Sequence, residues 1–269
     1  MESVKVLYIS QEITPYLPES EMSVIARNLP QGIQERGREI RTFMPKFGCI
    51  NERRNQLHEV IRLSGMNLII NDADHPLIIK VASIQSARMQ VYFIDNEDYF
   101  QRKATLSDEK GDNFSDNDER CVFFCRGVIE TVKKLRWAPD IIHCHGWFTS
   151  LIPLYIKKSF NEEPLFANSK VVMSIYDNDF KGSLNNKFSE KILFEGIEKE
   201  DLKLVKDPSY NNIMKFAVQY SDGLICSSEN VSEEVVKFAN SKKIPCLPYQ
   251  PKETYVDEYS KFYDKILEN

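Results

Sequence analysis

The first 45 residues contain a strand, an amphipathic helix and a second strand in succession. A β-branched and apolar run at 4–9 predicts the first strand, and apolar residues at helical spacing between 22 and 36 predict the helix. Gly37 marks the helix end, and the apolar residues at 40–44 predict the second strand. Two strands joined by a helix form a βαβ unit, which builds a parallel sheet through a right-handed crossover.

The second half of the chain repeats this alternation of strands and helices. The predicted elements are strands at 140–144, 170–175 and 223–226, and helices at 149–160, 186–205, 211–220, 231–239 and 256–267. Neither an internal repeat nor a low-complexity linker interrupts the pattern. The sequence therefore predicts an α/β fold, a single doubly wound Rossmann-like domain over residues 1–269 with a mainly parallel sheet.

Residues from about 57 to 115 show a different pattern of apolar and polar residues from the rest of the chain. Short apolar runs at 57–94, separated by polar turns, predict a small β-hairpin insertion, and the polar segment 95–115 predicts a long surface loop. Ser115 and Asp118 have the spacing of a capping box. We expect this box to open a long amphipathic helix.

Composition and charge exclude several classes of protein. The chain is 42% hydrophobic and 28% charged with a formal net charge of −5, so it lacks the basic excess of a nucleic-acid binder. A run of about 18 apolar residues and a signal-peptide pattern are both absent, which predicts a cytoplasmic location and no membrane partner. The six cysteines form no CxxC pair, and no glycine-rich nucleotide motif follows a predicted strand. We expect no cofactor.

Two histidines at the end of a predicted strand are the first candidates for a functional site. His143 and His145 alternate along the strand, so both side chains share one face at the edge where open α/β sheets bind ligands. They could bind a ligand, bind a metal or serve as structural polar residues, and no further Cys/His cluster supports the metal. Trp147 could stack on a ligand or fill the core.

Two acidic triplets, at 116–118 and 177–179, have the Asp-Asn-Asp sequence. Two carboxylates at this spacing can chelate a hard divalent cation. Both triplets also lie at predicted helix or loop starts, where aspartate commonly caps the backbone. The sequence analysis therefore predicts no metal site.

Four stretches of sequence, in order and at matching spacing, resemble a known family. They are VLYISQEITP at 6–15 continuing to MP at 44–45, YFID at 92–95 continuing through Asp116 and Arg120 to FF at 123–124, PDIIHCHGW at 139–147, and NIMKFA at 212–217 with SDGLICSS at 221–228. Together they resemble the N-terminal half of the catalytic domain of bacterial glycogen synthases and plant starch synthases. This resemblance implies a GT-B glycosyltransferase that moves glucose from ADP-glucose or UDP-glucose to an α-1,4-glucan.

The resemblance implies five substrate-binding residues and assigns no catalytic residue. His145 matches the second histidine of the family's His-x-His-Asp-Trp motif, which contacts the donor glucose, and Trp147 ends that motif. Asp116 matches an acidic sugar-binding position, and Glu12 matches a glutamate after the first strand. Tyr176 stands where the family has a histidine. We expect His145, Asp116 and Tyr176 to lie together at the carboxyl edge of the sheet.

The loop after the first strand departs from the family pattern. Pro18, Ser20 and Glu21 stand where the family has a lysine and two glycines that approach the donor phosphates. A phosphate site needs free backbone N–H groups and a cation, whereas proline removes an N–H and Glu21 adds a negative charge beside Glu19. This loop is expected to repel a diphosphate.

The resemblance covers only the N-terminal half of the family's catalytic domain, and the half that holds the nucleotide is expected to be missing. One hypothesis is a glycogen or starch synthase-like glucosyltransferase whose cleft is completed by a protein partner or a second copy. The alternative is a non-catalytic relative that acts as a sugar- or protein-binding module. Nucleotide sugar and α-glucan are the small-molecule partners that the resemblance implies, with very slow turnover by the chain alone.

The predicted helix at 256–267 carries several tyrosines and a phenylalanine on one broad face. We expect this helix to pack back on the domain and cover apolar surface. The alternative is a helix that is free in the monomer and docks on a partner.

Overall fold

A computed structural model describes residues 3–268 of the chain. Ten strands are present in this range. Their bounds are β1 Lys5–Ser10, β2 Glu39–Pro45, β3 His58–Glu59, β4 Met66–Ile70, β5 Ala73–Ile84, β6 Met89–Asp95, β7 Ile141–His145, β8 Lys170–Ile175, β9 Gly223–Cys226 and β10 Cys246–Leu247.

Helices connect most of these strands. The α-helices are α1 Glu21–Glu35, α2 Glu97–Phe100, α3 Asn117–Leu135, α4 Ile152–Leu154, α5 Phe188–Ile192, α6 Tyr210–Gln219, α7 Glu233–Ser241 and α8 Tyr255–Leu267. Short 3-10 turns lie at Gln85–Ala87, Trp147–Thr149 and Lys203–Lys206, and a π-helical turn lies at Tyr155–Ser159. No helix within residues 3–268 is long and apolar enough to span a bilayer.

The strands form one sheet in the order β10-β9-β8-β7-β1-β2-β6-β5-β3, with β4 paired to β5 outside this path. All neighbours from β10 to β6 are parallel, and β5 is antiparallel to β6. The predicted α/β fold with a mainly parallel, doubly wound sheet is confirmed. The antiparallel strands β3 to β5 come from the segment predicted as a hairpin, and they extend one edge of the main sheet.

The two faces of the sheet bury different side chains, as alternation along a strand requires. One face packs Leu7 and Ile142 into the larger apolar cluster with α3 and α6. The other face packs Val6 and Ile141 against α1 and α8. Five residues of α8 are buried there, and they are Tyr255, Tyr259, Phe262, Tyr263 and Ile266.

The helix predicted at 149–160 is present over most of its length, but it is irregular. A 3-10 turn at Trp147–Thr149 is followed by α4 and then by the π-helical turn, in which the Phe160 N–H donates to the Tyr155 carbonyl at 2.9 Å. Pro153 lies in the first turn of α4, where its missing N–H costs no helical hydrogen bond. Helical backbone is therefore continuous from 152 to 159, so the predicted helix starts three residues later than expected and ends in a π-helical turn.

The helix predicted at 186–205 was wrong over most of its length. Only α5 and the 3-10 turn at Lys203–Lys206 are helical. Leu193 ends α5 in an extended conformation, and Gly196 has a φ of +81°. That left-handed conformation is incompatible with a continuing right-handed helix.

The capping box predicted at Ser115 and Asp118 is absent. The N-cap of α3 is Asp116, whose side chain makes no capping hydrogen bond. Asp118 lies inside the first turn, and its carboxylate contacts Lys191 at 2.6 Å. An ion pair to another helix therefore replaces the local capping interaction.

Candidate functional site

Four adjacent parallel strands, β1, β7, β8 and β9, end side by side at the carboxyl edge of the sheet. Their alternation places polar side chains on the face that packs against α1 and α8, and these are Tyr8, Ser10, His143, His145, Ser174, Tyr176 and Ser227. All seven are buried. Buried polar groups at this edge of an open α/β sheet mark the usual position of a ligand site.

His143 is held by two hydroxyl groups. Its Nδ1 lies 2.6 Å from the hydroxyl of Tyr263 on α8, and its Nε2 lies 2.7 Å from the hydroxyl of Ser174 on β8. Burial, with a smaller contribution from the neighbouring His145, holds the pKa of His143 well below its ordinary value. Since both ring nitrogens are occupied, His143 serves to tie α8 to the sheet.

His145 has one ring nitrogen occupied and the other without a partner. Its Nδ1 lies 2.7 Å from the hydroxyl of Tyr176, whereas Nε2 has no hydrogen-bond partner within residues 3–268. Burial lowers the pKa of His145 to about 3, so the ring is neutral at physiological pH. A neutral imidazole with a free nitrogen can exchange one hydrogen bond with a hydroxyl group.

A second unpartnered polar atom lies beside His145. Ser10 is directly opposite His145 in the register of β1 and β7, and its buried Oγ also makes no hydrogen bond to any described residue. Leaving a buried polar atom unpaired costs roughly 1–3 kcal/mol, so two adjacent cases need a physical reason. A polar ligand that satisfies both atoms provides one.

The sequence analysis missed the hydroxyl groups that surround the histidines. Ser227 Oγ lies 2.9 Å from Ser174 Oγ and 2.8 Å from the hydroxyl of Tyr259, and the Tyr8 and Tyr263 hydroxyls lie 3.3 Å apart. Two signals could have found them. Small hydroxyl residues occupy the same strand alternation as the histidines, and tyrosines recur every four residues at 255, 259 and 263.

Gly146 has a backbone conformation that favours glycine. It has a φ of +85°, and a Cβ placed on it would lie 2.7 Å from Cε of Met22 and 3.0 Å from Oε1 of Gln11. The aspartate that the resembled motif carries at this position would therefore strain the backbone and displace the end of the Met22 side chain.

Carboxylates occupy the loop between β1 and α1. Oε2 of Glu12 accepts a hydrogen bond from Ser20 Oγ at 2.7 Å, and the Glu21 carboxylate accepts one from the Ser228 hydroxyl just beyond β9. Glu21 is the first residue of α1, where the helix dipole favours a negative group. Its negative charge therefore disfavours a phosphate group at this helix terminus.

Trp147 lies in the core next to β7, the strand that carries His143 and His145. It is 3% exposed, and its ring packs edge-on against Phe180, with the centroids 4.8 Å apart. The indole face is therefore closed to solvent. A sugar could stack on it only after Phe180 had moved.

Asp116 lies at the same edge of the sheet but in other contacts. It precedes α3, which runs back from the carboxyl ends of the parallel strands, and it forms a paired salt bridge with Arg102, with one N–O distance of 2.9 Å. None of its hydrogen bonds within residues 3–268 reaches His145 or Tyr176. The structure thus brings His145 and Tyr176 into contact and leaves Asp116 apart from them.

The two carboxylates of the triplet at 116–118 have separate partners. Asp118 pairs with Lys191, and Asp116 pairs with Arg102. Across residues 3–268, no group of three or more His, Cys, Asp or Glu side chains has a geometry that could hold a metal ion.

The fold is similar to that of a solved starch synthase. The catalytic domain of starch synthase IV from Arabidopsis thaliana, solved with ADP and acarbose bound, superposes with a TM-score of 0.74 at 15% sequence identity. The match covers 92% of this chain and 51% of that chain. At this level of identity the likeness establishes the GT-B type of fold.

Sequence comparisons identify the family. The glycogen synthase of Chlorobium luteolum is 36% identical over 233 residues, covering 86% of this chain and 47% of its own length, and that of Chlorobaculum tepidum is 39% identical over 190 residues. The chain thus spans about half the length of the curated relatives it matches. The family model described as the starch synthase catalytic domain matches residues 5–244. This chain therefore belongs to the glycogen and starch synthase family of glycosyltransferases.

Proposed function

We propose that this chain forms the sugar-binding half of a glucosyl-transfer site, with ADP-glucose or UDP-glucose as the donor and an α-1,4-glucan as the acceptor. The observation that carries the proposal is a pair of buried atoms without partners, His145 Nε2 and Ser10 Oγ, on residues that are opposite each other in neighbouring strands. A sugar hydroxyl can both donate and accept, so one hydroxyl group can satisfy both atoms. The family membership supports glucose as the sugar.

Tyr176 prepares His145 for this role. Its hydroxyl fixes Nδ1 and therefore the ring orientation, and burial keeps the ring neutral. A neutral ring can bind an uncharged hydroxyl without placing a charge in the buried crevice. Because His145 is fully buried, we propose that the start of α1, where Met22 approaches Gly146, moves when the sugar enters.

The donor phosphates require positive charge from elsewhere. The segment that leads into α1 carries Glu12 and Glu19, and Glu21 is the first residue of the helix. The Glu21 carboxylate accepts a hydrogen bond from the Ser228 hydroxyl. Stabilisation of the departing diphosphate is commonly the largest electrostatic contribution in such a transfer. We propose that a second domain supplies this charge and completes the cleft.

Transfer of labelled glucose to glycogen tests the proposal. Purified protein is incubated with ADP-glucose or UDP-glucose and glycogen, alone and with extract of the native host cells. We expect very slow transfer by the chain alone and faster transfer with extract. His145→Gln should reduce the stimulated rate by at least about 100-fold, since it removes a contact at the reacting sugar. His58→Gln, which alters an exposed histidine on β3, is the matched control.

The outcomes separate the two hypotheses. Absence of transfer above buffer, with and without extract, contradicts the proposal. Calorimetric titration with maltoheptaose then distinguishes what remains. Binding that His145→Gln abolishes, without turnover, identifies a non-catalytic sugar-binding relative, and absence of binding leaves neither function in place.

A further inference from the structure

A second concave site lies at the opposite edge of the sheet from His145. A cavity of about 560 Å³ opens where β2 and β6 begin, beside the turn that joins β5 to β6 and the last turn of α1. Its size is that of a small-molecule site. This cavity is at the amino ends of the parallel strands, whereas His145 is at their carboxyl ends. A ligand in the cavity would therefore leave the proposed sugar site beside His145 free.

Three arginines line this cavity, Arg41, Arg62 and Arg88. None of them forms an ion pair with a carboxylate among residues 3–268, although the chain as a whole is acidic. The single glutamate of the lining, Glu39, accepts a hydrogen bond from Nε1 of Trp137 at 2.6 Å. Three guanidinium groups with one carboxylate between them create a local positive potential that an anion would neutralise.

Arg41 is fixed in place at this site. Its Nη1 donates to the Tyr92 hydroxyl at 3.2 Å, and its guanidinium lies 5.1 Å from the ring centroid of Trp137. Its Nε is buried and has no partner among the described residues. A guanidinium that is already positioned loses little side-chain entropy on binding, and it has an unused donor.

Five of the neutral lining residues carry hydrogen-bonding groups, and they are Gln34, Ser83, Gln85, Gln90 and Tyr92. The remaining three, Ile40, Ile84 and Met89, are apolar. Amides and hydroxyls match the hydroxyl groups of a sugar or sugar-like ring, and guanidinium groups match phosphate through paired N–H donors. We propose that this cavity binds a phosphorylated polyhydroxy compound, with the phosphate on the arginines and the hydroxyl groups on the amides.

Calorimetric titration of the full chain tests this assignment with named probes. Glucose 6-phosphate and ribose 5-phosphate represent the proposed class, and inorganic phosphate and glucose represent its two parts. We expect both sugar phosphates to bind more tightly than inorganic phosphate, and glucose to give no signal. Affinity should fall at high salt because exposed charges are screened.

Variants locate the site. Arg62 and Arg88 are exposed, so the double variant Arg62→Gln/Arg88→Gln should keep the thermal midpoint and weaken sugar-phosphate binding by at least about tenfold. Arg54→Gln removes an exposed arginine outside the cavity and should bind as the unaltered chain does. His145→Gln should also retain binding, which separates this site from the proposed transfer site.

Three results would overturn the assignment. They are no binding of either sugar phosphate at millimolar concentration, equal affinity in the unaltered chain and the double arginine variant, and inorganic phosphate binding as tightly as the sugar phosphates. Loss of binding in His145→Gln would instead place the sugar phosphate beside His145, at the carboxyl edge of the sheet.

Discussion

The hydroxyl of Tyr176 and Nδ1 of His145 lie 2.7 Å apart, at the ends of neighbouring parallel strands. Tyr176 follows β8 directly, and His145 is the last residue of β7. Both side chains are buried, and Nε2 of the histidine has no partner among residues 3–268. The hydroxyl therefore determines how the free nitrogen is presented.

Replacing Tyr176 with phenylalanine removes that hydroxyl and little else. Nδ1 of His145 then has no partner, and a buried unpaired polar atom costs about 1–3 kcal/mol. We expect the free energy of unfolding to fall by this amount in urea titrations. Tyr249→Phe, at a tyrosine that is 39% exposed, should leave it unchanged. Equal urea midpoints for Tyr176→Phe and the unaltered chain would show that the hydrogen bond contributes nothing.

The positions of several strands along the chain could be predicted from the sequence because buried parallel strands are mostly apolar runs. Segments such as 170–175 and 223–226 are short, apolar and β-branched, and they are the observed strands. The region 186–205 could not be predicted, since its Lys- and Glu-rich composition favours a helix. The backbone there is decided by Gly196 and by packing against distant elements, which local propensity does not record.

The candidate site was predictable only in part. The alternation of His143 and His145 places both rings on one face, and this could be read directly. The different roles of the two histidines could not, because they depend on Tyr263, 120 residues away from His143, and on Tyr176, 31 residues away from His145. Similarly, Asp116 lies close to Arg102 through the folding of a loop that has no periodic pattern.

The lowered pKa values of the two buried histidines predict that the protein loses stability in mild acid. The pKa of an unfolded histidine is about 6.5. Burial lowers the pKa of His145 in the folded state to about 3, and it lowers that of His143 as well. The folded state thus binds fewer protons than the unfolded state. Their stabilising contribution is complete above about pH 6.5 and decreases as the pH falls towards 3, by up to about 1.4 kcal/mol per pH unit for each histidine.

Unfolding free energies measured between pH 4 and 8 at constant salt test this prediction, with limits chosen about the unfolded histidine pKa. His145→Gln should show a shallower decrease, by about one proton, than the unaltered chain. Asp118 acts in the opposite direction, since burial raises the pKa of its carboxyl group, and it is unaltered in both proteins. The same slope for both proteins would mean that His145 titrates normally when folded.

Arg120 is a buried arginine held mainly by carbonyl groups. It is 0% exposed, and it donates to the carbonyls of Tyr99 and Thr105 and to Oδ1 of Asn117, at 2.7–2.9 Å. Its guanidinium lies 5.3 Å from the ring centroid of Phe100. Burial lowers the pKa of Arg120 to about 10, so the group stays charged at physiological pH. It therefore connects α3 to the loop that follows β6.

Arg120→Met is expected to destabilise the protein by at least about 3 kcal/mol, because three acceptors lose a charged donor. Amide hydrogen exchange should accelerate first in the loop at 96–116. Arg54→Met, at an exposed arginine, is the control and should change neither quantity. Unchanged exchange in that loop would show that Arg120 does not hold it.

The helix α8 packs closely on the sheet at Gly223. A Cβ added to this glycine would lie 2.9 Å from Cε1 of Phe262 and 3.0 Å from Cδ1 of Ile266. Tyr263 on the same helix contacts His143. A helix that was free in the monomer and reserved for a partner would have none of these contacts, so the two interpretations of the tail differ in a measurable way.

A double-mutant cycle between Gly223 and Phe262 distinguishes a packed α8 from one that is free in the monomer. Phe262→Ala should cost about 3–5 kcal/mol of unfolding free energy, since it empties a buried site. Gly223→Ala should destabilise the unaltered chain by about 1–3 kcal/mol through overpacking, and it should cost less in the Phe262→Ala background, where the ring is gone. The expected coupling is about 0.5–3 kcal/mol, whereas additive effects would mean that α8 is not packed on β9 in solution. Deletion of residues 254–269 should agree with the cycle. It uncovers the apolar face and removes the hydrogen bond between Tyr263 and His143, so the thermal midpoint should fall by about 10 °C or the protein should become insoluble.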